Sequence, residues 1–318
     1  MSRVTPSLVA DIGGTNLRLA LVSPGTTATQ HERILSCGAY DGLVDAVRYY
    51  LSVVGHPEIR VAAFGVASAV TGDMIRLTNG PWSFSVSTTK KALGLDRLHV
   101  VNDFTALALA VPVLESNETR KVGSGETVPE TAIGVLGAGT GLGVSGLVWH
   151  AGRWLALHGE GGHAAFSPIT EREDAILRIF RREFGSHISV ERLLSGIGLA
   201  NIYKALCELD GSPIRRLEPA KITQAALDGG DARACETVDI FCAALGTAAS
   251  NVAITLGARG GVFIGGGIVP KLGSYFDRSA FRRRFEDKGR FRKYLSDIPT
   301  YVIVAQTPAL RGLATILT

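Results

Sequence analysis

Several classes of protein are excluded by what this chain has little of. Only four cysteines occur in 318 residues. Cys37, Cys207, Cys235 and Cys242 stand far apart with no C-x-x-C pair, so neither a zinc knuckle nor a dense disulfide framework is indicated, and a reducing, cytoplasmic setting is expected. Long uncharged apolar runs are missing as well: no window approaches the ~20 apolar residues of a membrane span. The opening "MSRVTPSLVADIGG" lacks the basic, apolar and cleavage regions of a signal peptide and leaves no room for a helix-turn-helix ahead of the first strand. One-sided charge is scarce too. Lys and Arg total 33 against 29 Asp and Glu, a net charge of +4, with no basic tract interleaved with aromatics, so neither a nucleic-acid nor a membrane partner is expected. The densest basic stretch, "FRRRFEDKGRFRKY" (281–294), reads as a solvated helix-and-turn face, with an anion or partner contact as the sharper alternative.

What is present describes a packed globule. Apolar residues make up 46% and charged residues 19% of the chain, enough for one large or two medium cores. Leu8 to Ala10 and Leu17 to Val22 read as paired strands about a tight turn, followed by a helix in "DGLVDAVRYYLSVVG". "RVAAFGVA" (60–67) and "LHVVND" (98–103) are further strands, the second running into the apolar helix "FTALALAV". Strands alternating with helices specify an α/β fold. The polar segment 115–130, "ESNETRKVGSGETVPE", reads as a linker or surface loop.

The opening pattern then returns. In "AIGVLGAGTGLGVSGLV" (132–148), Gly139-Thr140-Gly141-Leu142 matches Gly14-Thr15-Asn16-Leu17, and Leu136 stands where the first copy has Asp11. An internal repeat explains this, and two lobes facing each other across a cleft would be expected. Glycines let consecutive N–H groups and a threonine hydroxyl surround phosphate oxygens, and a carboxylate at the strand end can hold Mg²⁺ against them. An ordinary hairpin would show the same glycines. A third cluster, Gly265-Gly266-Gly267, leaves the buried strand of "GGVFIGGGIVP". It suits either a flat surface for an adenosine or close strand–helix packing.

The remaining polar candidates are of another kind. Asn102 and Asp103 end a buried strand, where Asp103 is either a cleft-facing acid or the N-cap of the helix starting at Phe104. "HGEGGHAAF" offers Glu160 and His163, and "ISVERLLSG" offers Glu191. A metal site from His158, Glu160 and His163 lacks supporting spacing, and His163 alone reads equally as a core histidine. Carboxylates and amides beside a phosphate site suit a sugar, because a wrong hydroxyl leaves a buried group unpaired.

Taken in order, "DIGGTNLRLAL", "VTGDMIRLTNGPWSFS", "NDFTALA", "GAGTGLG", "GEGGHAAFSP", "ISVERLLSGIGL", "GGVFIGGGIVPK" and "FEDKGRF" resemble the bacterial glucokinase family of the actin-like sugar kinase and Hsp70 ATPase superfamily over nearly the whole chain. The resemblance implies two ribonuclease-H-like α/β lobes with a ligand cleft between them, residues 1–112 plus 304–318 and residues 113–303. It implies transfer of the γ-phosphoryl of ATP to the 6-hydroxyl of glucose with Mg²⁺, the first step of glycolysis, by a homodimer. By motif, Asp103 would be the base, with Asn102, Glu160, His163 and Glu191 also on the sugar. Asp11, Gly13, Gly14, Thr15 and Asn16, with Gly137, Ala138, Gly139, Thr140 and Gly141, would embrace the phosphates, Asp11 reaching Mg²⁺ through water. Gly265, Gly266 and Gly267 would line the adenosine. The family's cysteine-rich zinc-binding relatives match less well, because no cysteine cluster follows His163. Ala69 and Gly80-Pro81 depart from the pattern near Trp82, at a loop that would border the sugar. A sugar-sensing regulator without catalysis, or a kinase of mannose, fructose or an amino sugar, is the competing expectation.

Overall fold

The computed structural model describes residues 5–77, 80–214 and 217–317. Thr78 and Asn79, part of one segment that carries the resemblance, lie outside the described residues. Contacts divide the chain into two units, Met1–Glu115 with Ala156–His158 and Ala305–Thr318, and Ser116–Leu155 with Gly159–Val304.

Strands in the first unit are β1 (Ser7–Ile12), β2 (Asn16–Val22), β3 (Thr29–Ser36), β4 (Val61–Val66), β5 (Met74–Arg76), β6 (Ser83–Ser85) and β7 (Arg97–Asn102). Five of them form a sheet in the order β3-β2-β1-β4-β7, and β5 pairs with β6 alone. β1 and β2 run antiparallel, from Ser7 opposite Val22 to Ile12 opposite Leu17, whereas β1, β4 and β7 run parallel. Period-two alternation divides β1 between two cores. Leu8, Ala10 and Ile12 pack with Phe64, Val47 and Tyr50, while Val9 packs on the other face with Ala63, Leu310 and Leu313. A central parallel strand covered on both faces must be apolar throughout, as "LVA" is. The helix Pro308–Thr315 provides the second cover and lies so close to the helix Asp103–Ala110 that a Cβ at Gly312 would sit 1.9 Å from the Ala106 carbonyl oxygen.

The six-stranded sheet contains β8 (Thr119–Val122), β9 (Ile133–Ala138), β10 (Leu142–His150), β11 (Arg153–Leu157), β12 (Val262–Gly265) and β13 (Thr300–Ile303), in the order β11-β10-β9-β12-β13-β8. Taken in chain order, the five main strands of each sheet lie third, second, first, fourth, fifth. Both have an antiparallel first pair and parallel first-to-fourth and fourth-to-fifth pairs. This is the ribonuclease-H-like plan twice over, so the repeated motif marks a repeated topology.

Four expectations are revised. Residues 115–130 are not all loop, because β8 pairs antiparallel with β13 and buries Val122; its polar residues are tolerable on an edge strand. The basic stretch 281–294 is not a wholly solvated face. Phe281 and Phe285 are fully buried, and Arg284 makes a bidentate pair with buried Glu173 at 2.9 and 3.1 Å, with a further bond to the Thr247 hydroxyl at 3.1 Å. Aromatic spacing at i, i+4 turned one side of that helix inward despite its charge. One helix, Ala232–Leu256, is long and apolar enough to cross a membrane by length and composition, contrary to the absence of such a run; 67% of its apolar window is buried within the protein. It is the central helix of this unit's core, where Gly246 admits the Phe281 backbone. Finally, Asp103 is the first residue of its helix, and Asn102 is the cap.

Candidate functional site

In the first unit the candidate residues gather at the carboxyl ends of β1 and β7. Register places Asp11 beside Gly65 on β4, and Gly65 beside Val101 on β7. Two strand spacings separate that row's ends by roughly 10 Å, and Asp103 follows two residues after Val101. The sheet therefore brings two carboxylates distant in sequence to one edge.

Asp11 is partly buried and faces Arg18 across the hairpin, with Oδ2 3.3 Å from Nη1. Burial pushes its carboxyl above the usual range, and the Arg18 charge and hydrogen bond oppose that rise. The turn closes with the Gly13 N–H donating to the Asn16 carbonyl at 2.9 Å, leaving Thr15 and Asn16 exposed. Asn102 is extended at φ −64°, ψ 150°, and its side-chain oxygen accepts from the N–H groups of Phe104 at 2.8 Å and Thr105 at 3.3 Å. Its amide nitrogen donates to the Ser68 carbonyl at 3.3 Å, tying β7 to the loop after β4. Asp103 is half-buried, and its Oδ1 accepts from the Phe104 N–H at 2.9 Å. The carboxylate thus lies at a helix N-terminus on a capped backbone.

In the second unit the β9–β10 turn is the centre. The Gly139 N–H donates to the Gly141 carbonyl at 2.8 Å, and the Gly139 carbonyl accepts from the Gly196 N–H at 2.8 Å. Glu191 Oε2 accepts from the Leu142 N–H at 2.9 Å and lies where a Cβ on Gly141 would stand, 2.4 Å away. The 158–163 loop lies on the same strand, since a Cβ on Gly162 would be 2.1 Å from the Leu142 carbonyl oxygen. An isolated bridge between Ala165 and Ser189, and the Val190 N–H donating to the Ala164 carbonyl at 2.9 Å, join this loop to the Glu191 segment. Glu160, His163 and Glu191 are thereby gathered around the first residues of β10. Glu160 and His163 are exposed, so His163 is not a core histidine. Nor do His158, Glu160 and His163 form a metal cluster. Among the described residues no group of three or more His, Cys, Asp or Glu side chains could hold an ion, and His158 Nδ1 lies 3.3 Å from the Thr105 hydroxyl.

Packing sorts the glycines. A Cβ on Gly137 would lie 2.3 Å from the Gly265 carbonyl oxygen, and Gly266, at φ +82°, sits equally close to the Ala138 carbonyl oxygen. Backbone contact alone explains those two. At Gly139 and Gly267 a Cβ would meet no protein atom within 4 Å, so protein packing does not demand glycine there. Sequence reading missed Arg18, Cys37 and the Thr105–His158 contact, all made by residues whose spacing carries no local periodicity.

Comparison with known proteins gives a consistent result. The family model described as Glucokinase matches residues 8–318. A glucokinase of Chromobacterium violaceum is 52% identical over 310 residues, covering 97% of this chain and 88% of that protein. The bifunctional protein glk of Paraburkholderia xenovorans is 48% identical over 98% of this chain, which spans only 49% of its length. A crystal structure of glucokinase from an Antarctic psychrotroph superposes with a TM-score of 0.88 at 36% identity, covering 98% of both chains.

Proposed function

The chain belongs to the glucokinase family, and from that premise we propose how its residues divide the work of moving a phosphoryl group from ATP to glucose. The chain is an enzyme, a glucose kinase. The observation that carries this reading is the 52% identity to a glucokinase across 97% of the chain. The position of Asp103, on a rigid strand end and one sheet edge from Asp11, supports the division of roles.

Asp103 is the base that accepts the proton of the glucose 6-hydroxyl as the oxygen attacks phosphorus. A loose phosphoryl-transfer transition state asks more of positioning and charge neutralisation than of a strong base. Asn102, Glu160, His163 and Glu191 hold the sugar hydroxyls, and a wrong epimer leaves one of these groups unpaired. Asp11, Gly13, Gly14, Thr15 and Asn16, with Gly137, Ala138, Gly139, Thr140 and Gly141, take the phosphates. Gly265, Gly266 and Gly267 line the adenosine, with Gly267 the position where protein packing leaves room.

One carboxylate without a protein cluster around it fits a magnesium ion that arrives with nucleotide, because Mg²⁺ is usually held by one or two carboxylates plus substrate phosphates. Asp11 is the residue that would hold it, through water, and when bound the ion supplies charge neutralisation to the phosphates. Arg18 keeps that carboxylate in place.

Residues 1–112 with 304–318, and 113–303, are the two working lobes. Family resemblance supports placing the enzyme in the cytoplasm, at the first step of glycolysis, as a homodimer. A coupled assay with ATP, Mg²⁺ and a panel of glucose, mannose, fructose and glucosamine tests the activity. Glucose should be the best substrate by kcat/KM; no turnover of any hexose would return the chain to the regulator reading, and a different best sugar would reassign its substrate.

A further inference from the structure

One buried side chain outside the motifs touches the first glycine turn at two points. Cys37 follows β3 directly and is a fully buried free thiol. Its Sγ donates to the Gly13 carbonyl at 3.5 Å, and its backbone N–H donates to the Thr15 carbonyl at 2.8 Å. Because a trans peptide sets its C=O and N–H in opposite directions, each bond also aims an amide. With the Gly13 carbonyl turned toward Cys37, the Gly14 N–H points away from it. With the Thr15 carbonyl held likewise, the Asn16 N–H points away too. Gly13 itself is fixed by its own N–H, which donates to the Asn16 carbonyl at 2.9 Å. Three carbonyls of the turn are therefore occupied by protein donors, which fixes the peptide planes on both sides of Thr15 and leaves the Gly14 N–H directed away from Cys37.

We infer that Cys37 is a positioning residue for the nucleotide phosphates: it never touches them, and it presets the peptide planes of the Gly13–Asn16 turn that receives them. This rests on the reading of that turn as a phosphate loop. The backbone bond survives any substitution except proline, whereas the thiol bond to Gly13 depends on the side chain, so the side chain's share is measurable. A buried carbonyl deprived of its donor becomes free to rotate its plane, and each bound nucleotide must then reorder it.

The test compares Cys37→Ala, Cys37→Ser and Thr15→Ala in steady-state kinetics with each substrate varied. Cys37→Ala should raise KM for ATP about three- to tenfold, the scale of one hydrogen bond, while kcat and KM for glucose stay near wild type. Cys37→Ser, which restores a donor, should recover most of the affinity. A purely structural role would reduce the amount of active enzyme and the melting temperature without this split. If Thr15→Ala weakens ATP and Cys37→Ala does not, the inference is overturned and the loop reading stands. If neither affects ATP, the loop reading falls and takes the inference with it.

Should Cys37→Ala fail to fold, the wild-type enzyme supplies a second measurement. Labelling of Cys37 by iodoacetamide, followed by peptide mapping, requires the turn to open. Mg²⁺ with a non-hydrolysable ATP analogue at ten times its Kd should slow that labelling about tenfold, while half-buried Cys235 in the other unit reacts at an unchanged rate. Equal rates at Cys37 with and without nucleotide would overturn the assignment.

Discussion

The β1–β2 and β9–β10 turns occupy the same place in two sheets of the same strand order, yet different things hold them. In the first unit, a thiol and a backbone amide from the residue after β3 fasten the turn, and an ion pair crosses its hairpin. In the second unit, a carboxylate from a distant segment and the first residue of the helix Gly196–Leu209 hold it, and Gly265 and Gly266 pack against the end of β9 before it. A repeated topology therefore does not dictate a repeated set of supports. The unit with Asp11 carries an ion-paired acid at the end of its first strand, and the unit with Leu136 uses its glycines partly to let backbones touch.

The most damaging way to break this comparison is to fill a glycine whose absence of side chain is structural. Gly137→Ala would drive a methyl into the Gly265 carbonyl and should cost roughly 3 kcal/mol, the upper range of overpacking. Urea unfolding with an unchanged midpoint would show that the contact relaxes freely.

Asp103→Asn removes the proposed base while preserving size, so kcat should fall ~10²-fold or more, with glucose affinity retained. Turnover equal to wild type in the coupled assay would end that assignment.

Asp11→Asn should raise KM for ATP in Mg²⁺ about tenfold, as loss of a metal-orienting group does, with less effect on glucose. Its stability has the opposite sign. Burial raises the folded pKa of Asp11 above 3.8, partly offset by Arg18. Its favourable contribution is thus present below the unfolded pKa and lost as pH rises through the folded one. Above that window the ionised carboxylate opposes folding, so at pH 7 the variant should melt no lower than wild type. A lower midpoint by calorimetry would mean that the Arg18 pair outweighs the desolvation.

The mildest change sharpens the contrast with Gly137. At Gly139 an added Cβ meets no protein atom within 4 Å, so Gly139→Ala should shift stability by less than about 0.5 kcal/mol. It should nonetheless weaken nucleotide binding in a titration. Unchanged binding there would leave Gly139 without a role beyond the turn.

Much of the fold could be read in advance because local chemistry and function coincide. "LVADIGGTNLRLALV" runs apolar, turns and runs apolar again, and the structure pairs those strands in register. The strand before Gly265 was legible for the same reason. Legibility failed where tertiary neighbours overrode composition. β8 is a polar tetrapeptide that becomes a strand because β13 offers an edge, and Arg284 is buried because Glu173 and Thr247 meet it. At the β7 terminus the sequence left Asp103 open between acid and cap. The structure gives the cap to Asn102, whose extended backbone places its side-chain oxygen over two amides.

The residues by themselves determined the alternation of strand and helix, the repeated glycine turn and the chemical types of the candidate side chains, because periodicity and turn chemistry act between near neighbours. Only the folded chain decided that Cys37 holds the first turn, that Glu191 reaches the second, and which glycines serve packing. Those pairings join residues tens of positions apart, and no local preference records a distance that the sheet alone sets.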